Sequence, residues 1–195
     1  MQLLEDRIQK EGKILPGNIV KIDGFLNHRV DTVLLRELAK EFRRLFPDDG
    51  ITGILTVEAS GIALGTVCAE EFGVPLIFAK KAKSDNIEGG LYKSDIYSYT
   101  YKKHVTLIVA SQWIGPNDRI LIIDDFLANG EALRGLTEIV EQAGAELVGI
   151  GVAVEKGFQP GGKNLRARGI NMHSLAIIDA VDDENGTFTF RKQEQ

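Results

Sequence analysis

The sequence contains one cysteine, no long apolar run and fewer basic than acidic residues, and each shortage excludes a class of protein. With Cys68 as its single cysteine, the chain cannot form an internal disulfide framework. No apolar stretch reaches the length of a membrane-spanning helix. The net charge of −5 argues against a general nucleic-acid-binding surface. We therefore expect neither a membrane nor a nucleic acid as a partner.

The sequence does contain enough apolar material for one folded unit. Its 195 residues are 44% hydrophobic and 26% charged, which predicts a single domain over residues 1–195 that needs neither disulfide nor metal for stability. Cys68 follows an apolar pattern and is predicted to be a small buried residue rather than a nucleophile. The first residues, MQLLEDRIQKEG, are charged and amphipathic rather than signal-like, so we expect a cytoplasmic protein.

Strand and helix patterns alternate along most of the chain. Helical periodicity runs from Leu3 to Glu11 and from Leu34 to Phe46, with a short strand predicted at Ile19–Ile22. Between Lys81 and Arg119 the pattern is interrupted by a polar, aromatic segment followed by the apolar run VTLIVAS, which together are predicted to form a long excursion with a β-ribbon. The remaining predicted elements are ITGILTVE, a helix from Ile62 to Phe72, PLIFAKK, a strand ending at Asp124, a helix from Gly130 to Ala143, and ELVGIGVAVEK. This alternation predicts an α/β fold with a doubly wound, mostly parallel sheet.

The most informative segment is RILIIDDFLANGEA, from Arg119 to Ala132. Its apolar run predicts a buried parallel strand, with Asp124 and Asp125 at the carboxyl end, where ligands bind in open α/β sheets. A turn with Asn129 and Gly130 before a helix leaves backbone N–H groups free to face an anion. Two carboxylates can accept hydrogen bonds from vicinal hydroxyls. The segment therefore suits a ribose 5-phosphate.

A second anion site is indicated by TVEASGIALG, where a strand runs through Ala59, Ser60 and Gly61 into a helix. The backbone of such a turn can hold a diphosphate, although the same turn also serves as a plain packing device. The next strand ends in KKAK, whose positive charges would neutralise a leaving diphosphate or form a solvated basic end. These basic residues are Lys80, Lys81 and Lys83.

Together these segments resemble the type I phosphoribosyltransferases, in which two acidic residues and a loop reading ATGGT or ATGGS bind PRPP. Here the loop reads ANGEA, so two hydroxyl donors are missing and Glu131 adds a negative charge. The side chain of Asn129 offers a replacement donor, and Glu131, in the first helical turn, is tolerable if it points to solvent, where the helix dipole favours it. The resemblance implies that PRPP is bound by Ala128, Asn129, Gly130, Glu131, Ala132, Ala59, Ser60, Gly61 and Lys81, and that Asp124 and Asp125 are catalytic.

Two further segments, FLNH and EKGFQPGG, resemble the base-binding segments of family members that act on xanthine, and this likeness covers nearly the whole chain. It implies a small hood built from residues 1–50 and 157–195. It also implies xanthine contacts at Val20, Asn27 and Lys156, with Phe158 stacking on the ring. A lysine favours a carbonyl over an amino group at the C6 position of a purine, and an asparagine offers both donor and acceptor.

The resemblance implies an enzyme that transfers the phosphoribosyl group of PRPP to xanthine, forming XMP and diphosphate in purine salvage. Mg²⁺ is expected to be bound mainly through PRPP rather than by protein side chains, and a homodimer is implied. Residues 83–103 are predicted to be a mobile lid that excludes water, with Ser98 and Tyr99 matching lid positions.

Two alternatives stay open at this point. Purine repressors that sense PRPP reuse the same fold and motif, but they carry a DNA-binding domain, and the roughly fifty residues before the first core strand contain no basic recognition helix. Within the enzymes, guanine, hypoxanthine or adenine could be the preferred base.

Overall fold

The computed structural model describes residues 1–47, 50–82, 90–98 and 103–193, and the strands and helices alternate as expected. In chain order the elements are α1 (Gln2–Glu11), β1 (Lys13–Leu15), β2 (Ile19–Lys21), α2 (Thr32–Leu45), β3 (Gly53–Val57), α3 (Ser60–Phe72), β4 (Leu76–Ala82), β5 (Leu91–Ser98), β6 (Lys103–Ala110), a 3₁₀ turn (Ser111–Trp113), β7 (Arg119–Leu127), α4 (Glu131–Ala143), β8 (Glu146–Lys156), α5 (Pro160–Ala167), β9 (Met172–Asp182) and β10 (Thr187–Phe190).

Within the described residues, eight strands form one sheet in the order β10-β9-β8-β7-β3-β4-β6-β5. The five central strands, from β9 to β4, are parallel, and the outer strands β10, β6 and β5 pair antiparallel to their neighbours. β1 and β2 form a separate two-stranded ribbon. The prediction of a mostly parallel α/β sheet is confirmed, and the antiparallel β5–β6 pair confirms the predicted β-ribbon.

The central strand β7 is buried on both faces, which explains its continuous apolar run. Leu121 and Ile123 belong to the hydrophobic core that includes α1, α2 and α3. Ile120 and Ile122 belong to the core on the opposite face, which includes α4. Alternate side chains of one strand therefore serve two cores, as expected for a sheet covered by helices on both sides.

Strand β7 continues beyond the end that the sequence indicated. It was predicted to stop at Asp124, but it runs to Leu127 because the 11-residue strand β8 stays paired with it as far as Glu155. The pairing of β7 with β3 stops earlier, at Ile122. Asp124 and Asp125 therefore lie inside a strand, at the point where its pairing with β3 has stopped and its pairing with β8 continues.

Part of the predicted lid is an ordinary strand of the sheet. Residues 83–89 and 99–102, which include Lys83 and Tyr99, lie outside the described residues. Strand β5 pairs with β6 along its whole length, and Ser94 and Ile96 are buried against Gly135 of α4. The mobility of residues 83–103 stays a prediction.

The last two strands extend the main sheet, since β9 pairs with β8 and β10 pairs with β9. Helix α1 packs on both strands, so the two ends of the chain meet. The division into a hood of residues 1–50 and 157–195 stays a prediction. Cys68 is fully buried, as predicted, and burial raises the pKa of its thiol. Among the helices of the described residues, none combines the length and apolar character needed to span a membrane.

Candidate active site

A cavity of about 390 Å³ lies at the carboxyl edge of the parallel strands. Its walls come from the segment after β1, from the end of β3 and the start of α3, from β4, and from β7 with its following loop. Eight of the residues predicted for the site line it: Val20, Asn27, Ser60, Lys81, Asp124, Asp125, Ala128 and Ala132. Residues that are far apart in the sequence thus form one site.

A smaller cavity of about 170 Å³ adjoins the first and extends it along the loop after β7. Asn129, Gly130 and Glu131 line this second cavity. The two cavities share Lys81, Asp124, Phe126, Ala128 and Ala132. The predicted sugar and 5-phosphate residues therefore line two adjacent cavities with shared walls.

The carboxylate of Asp125 is held from two sides. Asn27 donates from Nδ2 to Asp125 Oδ2 at 2.8 Å, and Ser60 donates from Oγ to Asp125 Oδ1 at 2.8 Å. Asp125 is buried, whereas Asn27 and Ser60 are half-buried. Each carboxylate oxygen can accept a further hydrogen bond. The side chain is therefore oriented but still able to bind a hydroxyl.

Asp124 is buried directly beside Asp125 and accepts a hydrogen bond from the Asp125 N–H at 3.0 Å. Burial raises the pKa of Asp124 well above its ordinary value, and the negative charge of Asp125 raises it further. Lys81 partly opposes this rise. Asp124 therefore holds its proton to a higher pH than an ordinary aspartate does.

The turn between β3 and α3 brings the start of that helix close to the aspartates. The Glu58–Ala59 peptide bond is cis, and Lys81 donates its backbone N–H to Glu58 Oε1 at 2.7 Å. A Cβ atom on Gly61 would lie 2.1 Å from the Thr56 hydroxyl oxygen and 3.0 Å from Asp124 Oδ1. Only glycine allows this approach. Ala59 and Gly61 flank Ser60, but neither lines either cavity.

The loop from Ala128 to Ala132 has the geometry of an anion site. Gly130 has a φ of 86°, the left-handed conformation that glycine adopts most easily, and α4 begins at the next residue. The first N–H groups of a helix have no partner within it, and they carry its positive dipole end. This part of the second cavity is therefore suited to a phosphate.

Glu131 does not simply point to solvent, which is the orientation considered for it from the sequence. Its Oε2 accepts from Arg134 at 3.0 Å and from the backbone N–H of Tyr97 at 3.3 Å. The hydrogen bond from Arg134 holds the pKa of Glu131 below its ordinary value, against a smaller opposing effect of burial. Arg134, one helical turn later, draws the carboxylate toward β5 and neutralises its charge, so Glu131 is accommodated by pairing rather than by facing solvent.

Lys156 and Phe158 lie next to the site rather than in it. The Lys156 ammonium is 5.5 Å from the centre of the Phe126 ring and 5.8 Å from the Phe158 ring, and it donates to the Asn18 carbonyl at 3.5 Å. Burial lowers the pKa of Lys156, whereas the Phe158 ring is 40% exposed. Neither residue lines the two cavities, but Phe126 lines both and contacts Lys156.

Comparison with known proteins agrees with this geometry. Residues 32–165 match the family model described as "Phosphoribosyl transferase domain". The chain belongs to the phosphoribosyltransferase family. It is 52% identical to the xanthine phosphoribosyltransferase of Lachnoclostridium phytofermentans over 98% of both chains. It is 50% identical to the xanthine phosphoribosyltransferase of Bifidobacterium longum over 98% of this chain and 100% of that protein.

Solved structures of other phosphoribosyltransferases share the fold. The APRTase of Giardia lamblia complexed with 9-deazaadenine superposes with a TM-score of 0.75 at 26% identity, over 89% of this chain and 96% of that chain. The adenine phosphoribosyltransferase of Trypanosoma brucei in complex with AMP, pyrophosphate and ribose-5-phosphate has a TM-score of 0.75 at 22% identity, over 93% and 82%. The fold expected from the family resemblance is confirmed.

Six further residues line the larger cavity of this phosphoribosyltransferase but were missed by the sequence analysis: Lys21, Ile22, Asp23, Val57, Glu58 and Phe126. Signals for three of them were present. Glu58 stands inside the quoted TVEASG turn, Phe126 follows the two aspartates, and Asp23 lies in the segment that contains FLNH. Lys21 and Asp23 form an ion pair at 3.1 Å, which spacing alone does not indicate.

Proposed function

We propose that this phosphoribosyltransferase transfers the phosphoribosyl group of PRPP to N9 of xanthine, forming XMP and diphosphate as a step of purine salvage. Relatives with about half of their residues in common carry the name xanthine phosphoribosyltransferase. The observation that carries the proposal is the hydrogen bond from Asn27 to Asp125. It joins the segment expected to bind the base to the strand expected to bind the ribose, within one cavity.

In this proposal Asp124 and Asp125 act on the ribose. The Asp125 carboxylate accepts a hydrogen bond from a ribose hydroxyl and faces the positive charge that develops on the sugar as the C1–diphosphate bond weakens. Asp124, with its raised pKa, can keep a proton and donate it in a hydrogen bond to a second hydroxyl. No covalent nucleophile is needed, because N9 of the base attacks the sugar directly.

The two anionic ends of PRPP are assigned to opposite sides of the aspartates. The 5-phosphate is assigned to the loop from Ala128 to Ala132, where α4 begins, and where Arg134 already neutralises Glu131. The diphosphate is assigned to Ser60 and Lys81, with Ala59 and Gly61 shaping the turn. Lys81 lines both cavities, so its charge is available along the whole of PRPP.

The base is assigned to the wall formed by Val20 and Asn27, next to Phe126. Lys156 lies against the Phe126 ring and would reach a purine carbonyl from there, while Phe158 would cover the ring after a side-chain rotation. A half-buried ammonium group has lost part of its hydration. A carbonyl oxygen on the base would accept a hydrogen bond from it and replace the lost water, whereas an amino group offers no such acceptor. A 6-oxopurine is therefore favoured over adenine.

Magnesium fits this site as an ion carried by PRPP. Among the described residues, no group of three or more His, Cys, Asp or Glu side chains is arranged to hold a metal by itself. The carboxylates of Asp125 and Glu58 nevertheless line the cavity and offer the oxygen atoms that Mg²⁺ prefers. When bound, the ion would screen the diphosphate charge and ease its departure. A homodimer and a cytoplasmic location stay predictions.

The purified protein can be assayed with PRPP and Mg²⁺ against xanthine, guanine, hypoxanthine and adenine, following the ultraviolet absorbance of each base. We expect the highest kcat/KM with xanthine. A higher kcat/KM for one of the other purines would reject xanthine as the preferred base. No turnover with any of them, in a protein that binds PRPP, would favour the sensor function instead.

A further inference from the structure

Helix α5 contacts the backbone of the loop that we assign to the 5-phosphate. Gly161 donates its N–H to the Ala128 carbonyl at 3.2 Å. A Cβ atom at Gly161 would lie 2.4 Å from the Ala128 oxygen and 2.8 Å from the Gly130 nitrogen. Any side chain at this position would therefore push the phosphate loop away from the helix.

The same helix clamps a buried carboxylate at the end of β8. Arg166 donates from Nη1 to Glu155 Oε1 at 2.8 Å and from Nη2 to Oε2 at 2.7 Å, and the Ser174 hydroxyl also donates to Oε2. A Cβ atom on Gly162 would lie 2.0 Å from Glu155 Oε1, so the helix packs directly on the carboxylate. A bidentate pair of this kind fixes both position and orientation.

The ionised state of Glu155 is maintained by these donors. Burial alone would raise the pKa of Glu155, but the hydrogen bonds from Arg166 and Ser174 outweigh it and hold the pKa below its ordinary value. The Glu155 side chain is only 2% exposed. Solvent therefore does not stabilise its charge. Its hydrogen-bond partners, Arg166 and Ser174, lie on α5 and β9.

Glu155 immediately precedes Lys156, the last residue of β8. Because successive side chains of a strand point to opposite faces, fixing Glu155 on one face also fixes where the Lys156 side chain starts on the other. Lys156 reaches the Phe126 ring, which lines both cavities. Helix α5 is thus connected to the phosphate loop through Gly161 and to the base-side lysine through Glu155.

We propose that α5 is a positioning element that sets the distance between the two substrate half-sites, with Gly161 holding the 5-phosphate loop and the Arg166–Glu155 pair holding Lys156. The proposal rests on the function proposed above, since it assigns the two half-sites to PRPP and to the base. Arg166 and Glu155 line neither of the two cavities, so in this proposal they act through Lys156. Gly161 acts through the backbone of Ala128 and Gly130.

The proposal predicts opposite kinetic effects at the two ends of one helix. In Arg166→Met we expect the KM for the base to rise about tenfold with the KM for PRPP nearly unchanged. In Gly161→Ala we expect the KM for PRPP to rise about tenfold with a smaller effect on the base. Lys163→Met, on the exposed face of α5, is the matched control and should leave both values unchanged. Loss of kcat with both KM values unchanged would overturn the proposal and leave α5 a purely structural helix.

Two milder variants keep the test decisive if Arg166→Met does not fold. Arg166→Lys keeps the charge but not the paired geometry, and Ser174→Ala removes one donor, so each should give a base KM between wild type and Arg166→Met. A wild-type base KM in a folded Arg166→Lys protein would reject the positioning role.

If the wild type converts no base, the proposed function fails separately. PRPP binding measured by calorimetry must then be weakened in Gly161→Ala and unaffected in Arg166→Lys, or the proposal fails too.

Discussion

Asn27 donates a hydrogen bond from Nδ2 to Oδ2 of Asp125 across 2.8 Å, although the two residues are 98 positions apart in the chain. Asn27 lies in the turn that follows β2, and Asp125 lies near the end of β7. One carboxylate therefore serves both the segment assigned to the base and the strand assigned to the ribose. A change at Asn27 should register in catalysis as well as in base binding.

Replacing Asn27 by alanine tests this coupling. In Asn27→Ala we expect the KM for xanthine to rise about tenfold and kcat to fall by a similar factor, because the base loses a polar partner and Asp125 loses an orienting donor. Steady-state kinetics with each substrate varied in turn would measure both effects. Asn171→Ala, at an exposed position before β9, is the control. An increase in KM alone would mean that the bond to Asp125 has no role in the reaction.

Asp125 itself can be tested by removing its charge while keeping its shape. In Asp125→Asn we expect kcat to fall about a hundredfold, because the variant lacks the negative charge that stabilises the positive charge developing on the sugar. The melting temperature should stay close to the wild-type value. Asp6→Asn, at an exposed carboxylate on α1, should leave kcat unchanged. Wild-type kcat in a folded Asp125→Asn protein would contradict the catalytic assignment.

Lys156 is expected to contribute to the base and not to PRPP. In Lys156→Ala the KM for xanthine should rise about tenfold, because a donor to the purine carbonyl is lost, while PRPP binding is kept. Initial rates at saturating PRPP, compared with calorimetric titration of PRPP alone, would separate the two. Lys10→Ala, on the exposed face of α1, is the control. An equal loss for both substrates would indicate a structural role next to Phe126.

The fold and the outline of the site could be predicted from the sequence because both depend on local patterns. The apolar run of Ile120 to Ile123 indicated a strand buried on both faces, and these four side chains are fully buried. The end of that strand could not be predicted, because it depends on the length of β8, which is not a local property. The hydrogen bond from Asn27 to Asp125 is likewise decided by tertiary packing.

Glu131 illustrates a signal that was present and overlooked. Arg134 follows it by three positions in a predicted helix, and residues with this spacing lie on the same side of a helix and can pair. The contact with the Tyr97 N–H could not have been inferred in the same way, since it depends on how β5 packs against α4. The sequence therefore placed Glu131 at the start of the helix, but both of its hydrogen-bond partners were missed.

The contacts between α4 and β5 predict slow exchange in an edge strand. Gln142 of α4 accepts from the Lys93 N–H at 3.1 Å and donates to the Lys93 carbonyl at 2.7 Å, while Glu131 accepts from the Tyr97 N–H. Helix side chains thus cover the open edge of β5. Amide hydrogen exchange should show Lys93 protected in the substrate-free protein, in contrast to the mobility predicted from the sequence for the whole of residues 83–103.

Gln142→Ala should speed exchange at Lys93 about tenfold or more, because the amide loses its acceptor and becomes open to solvent. Glu141→Ala, at the neighbouring exposed position of the same helix, should leave that amide protected. Rapid exchange of residues 91–98 in the wild-type protein would mean that β5 is not part of the stable sheet in solution.

Asp124 and Glu155 are both buried carboxyl groups, but their surroundings move their pKa values in opposite directions. Burial and the charge of Asp125 raise the pKa of Asp124, whereas Arg166 and Ser174 outweigh burial at Glu155 and lower its pKa. The folded protein therefore holds the Asp124 proton more tightly than the unfolded chain does. For Glu155 the unfolded chain holds the proton more tightly.

These directions give opposite stability effects for the same chemical change. Above pH 3.8, the ordinary pKa of an aspartate, the unfolded chain releases the Asp124 proton more readily than the folded protein does, so the folded state loses stability as the pH rises. Asp124→Asn should therefore raise the melting temperature by about 3 °C at pH 8, and by less near pH 4. Ionised Glu155 stabilises the fold above pH 4.5, the ordinary pKa of a glutamate. Glu155→Gln should therefore melt about 3 °C or more below wild type at pH 8, and this difference in melting temperature should shrink toward pH 4. Calorimetric melting of the substrate-free proteins across this range checks both. A melting temperature lowered in Asp124→Asn at pH 8 would mean that the Asp124 carboxylate is stabilised in the fold, contrary to the burial of its charge beside Asp125.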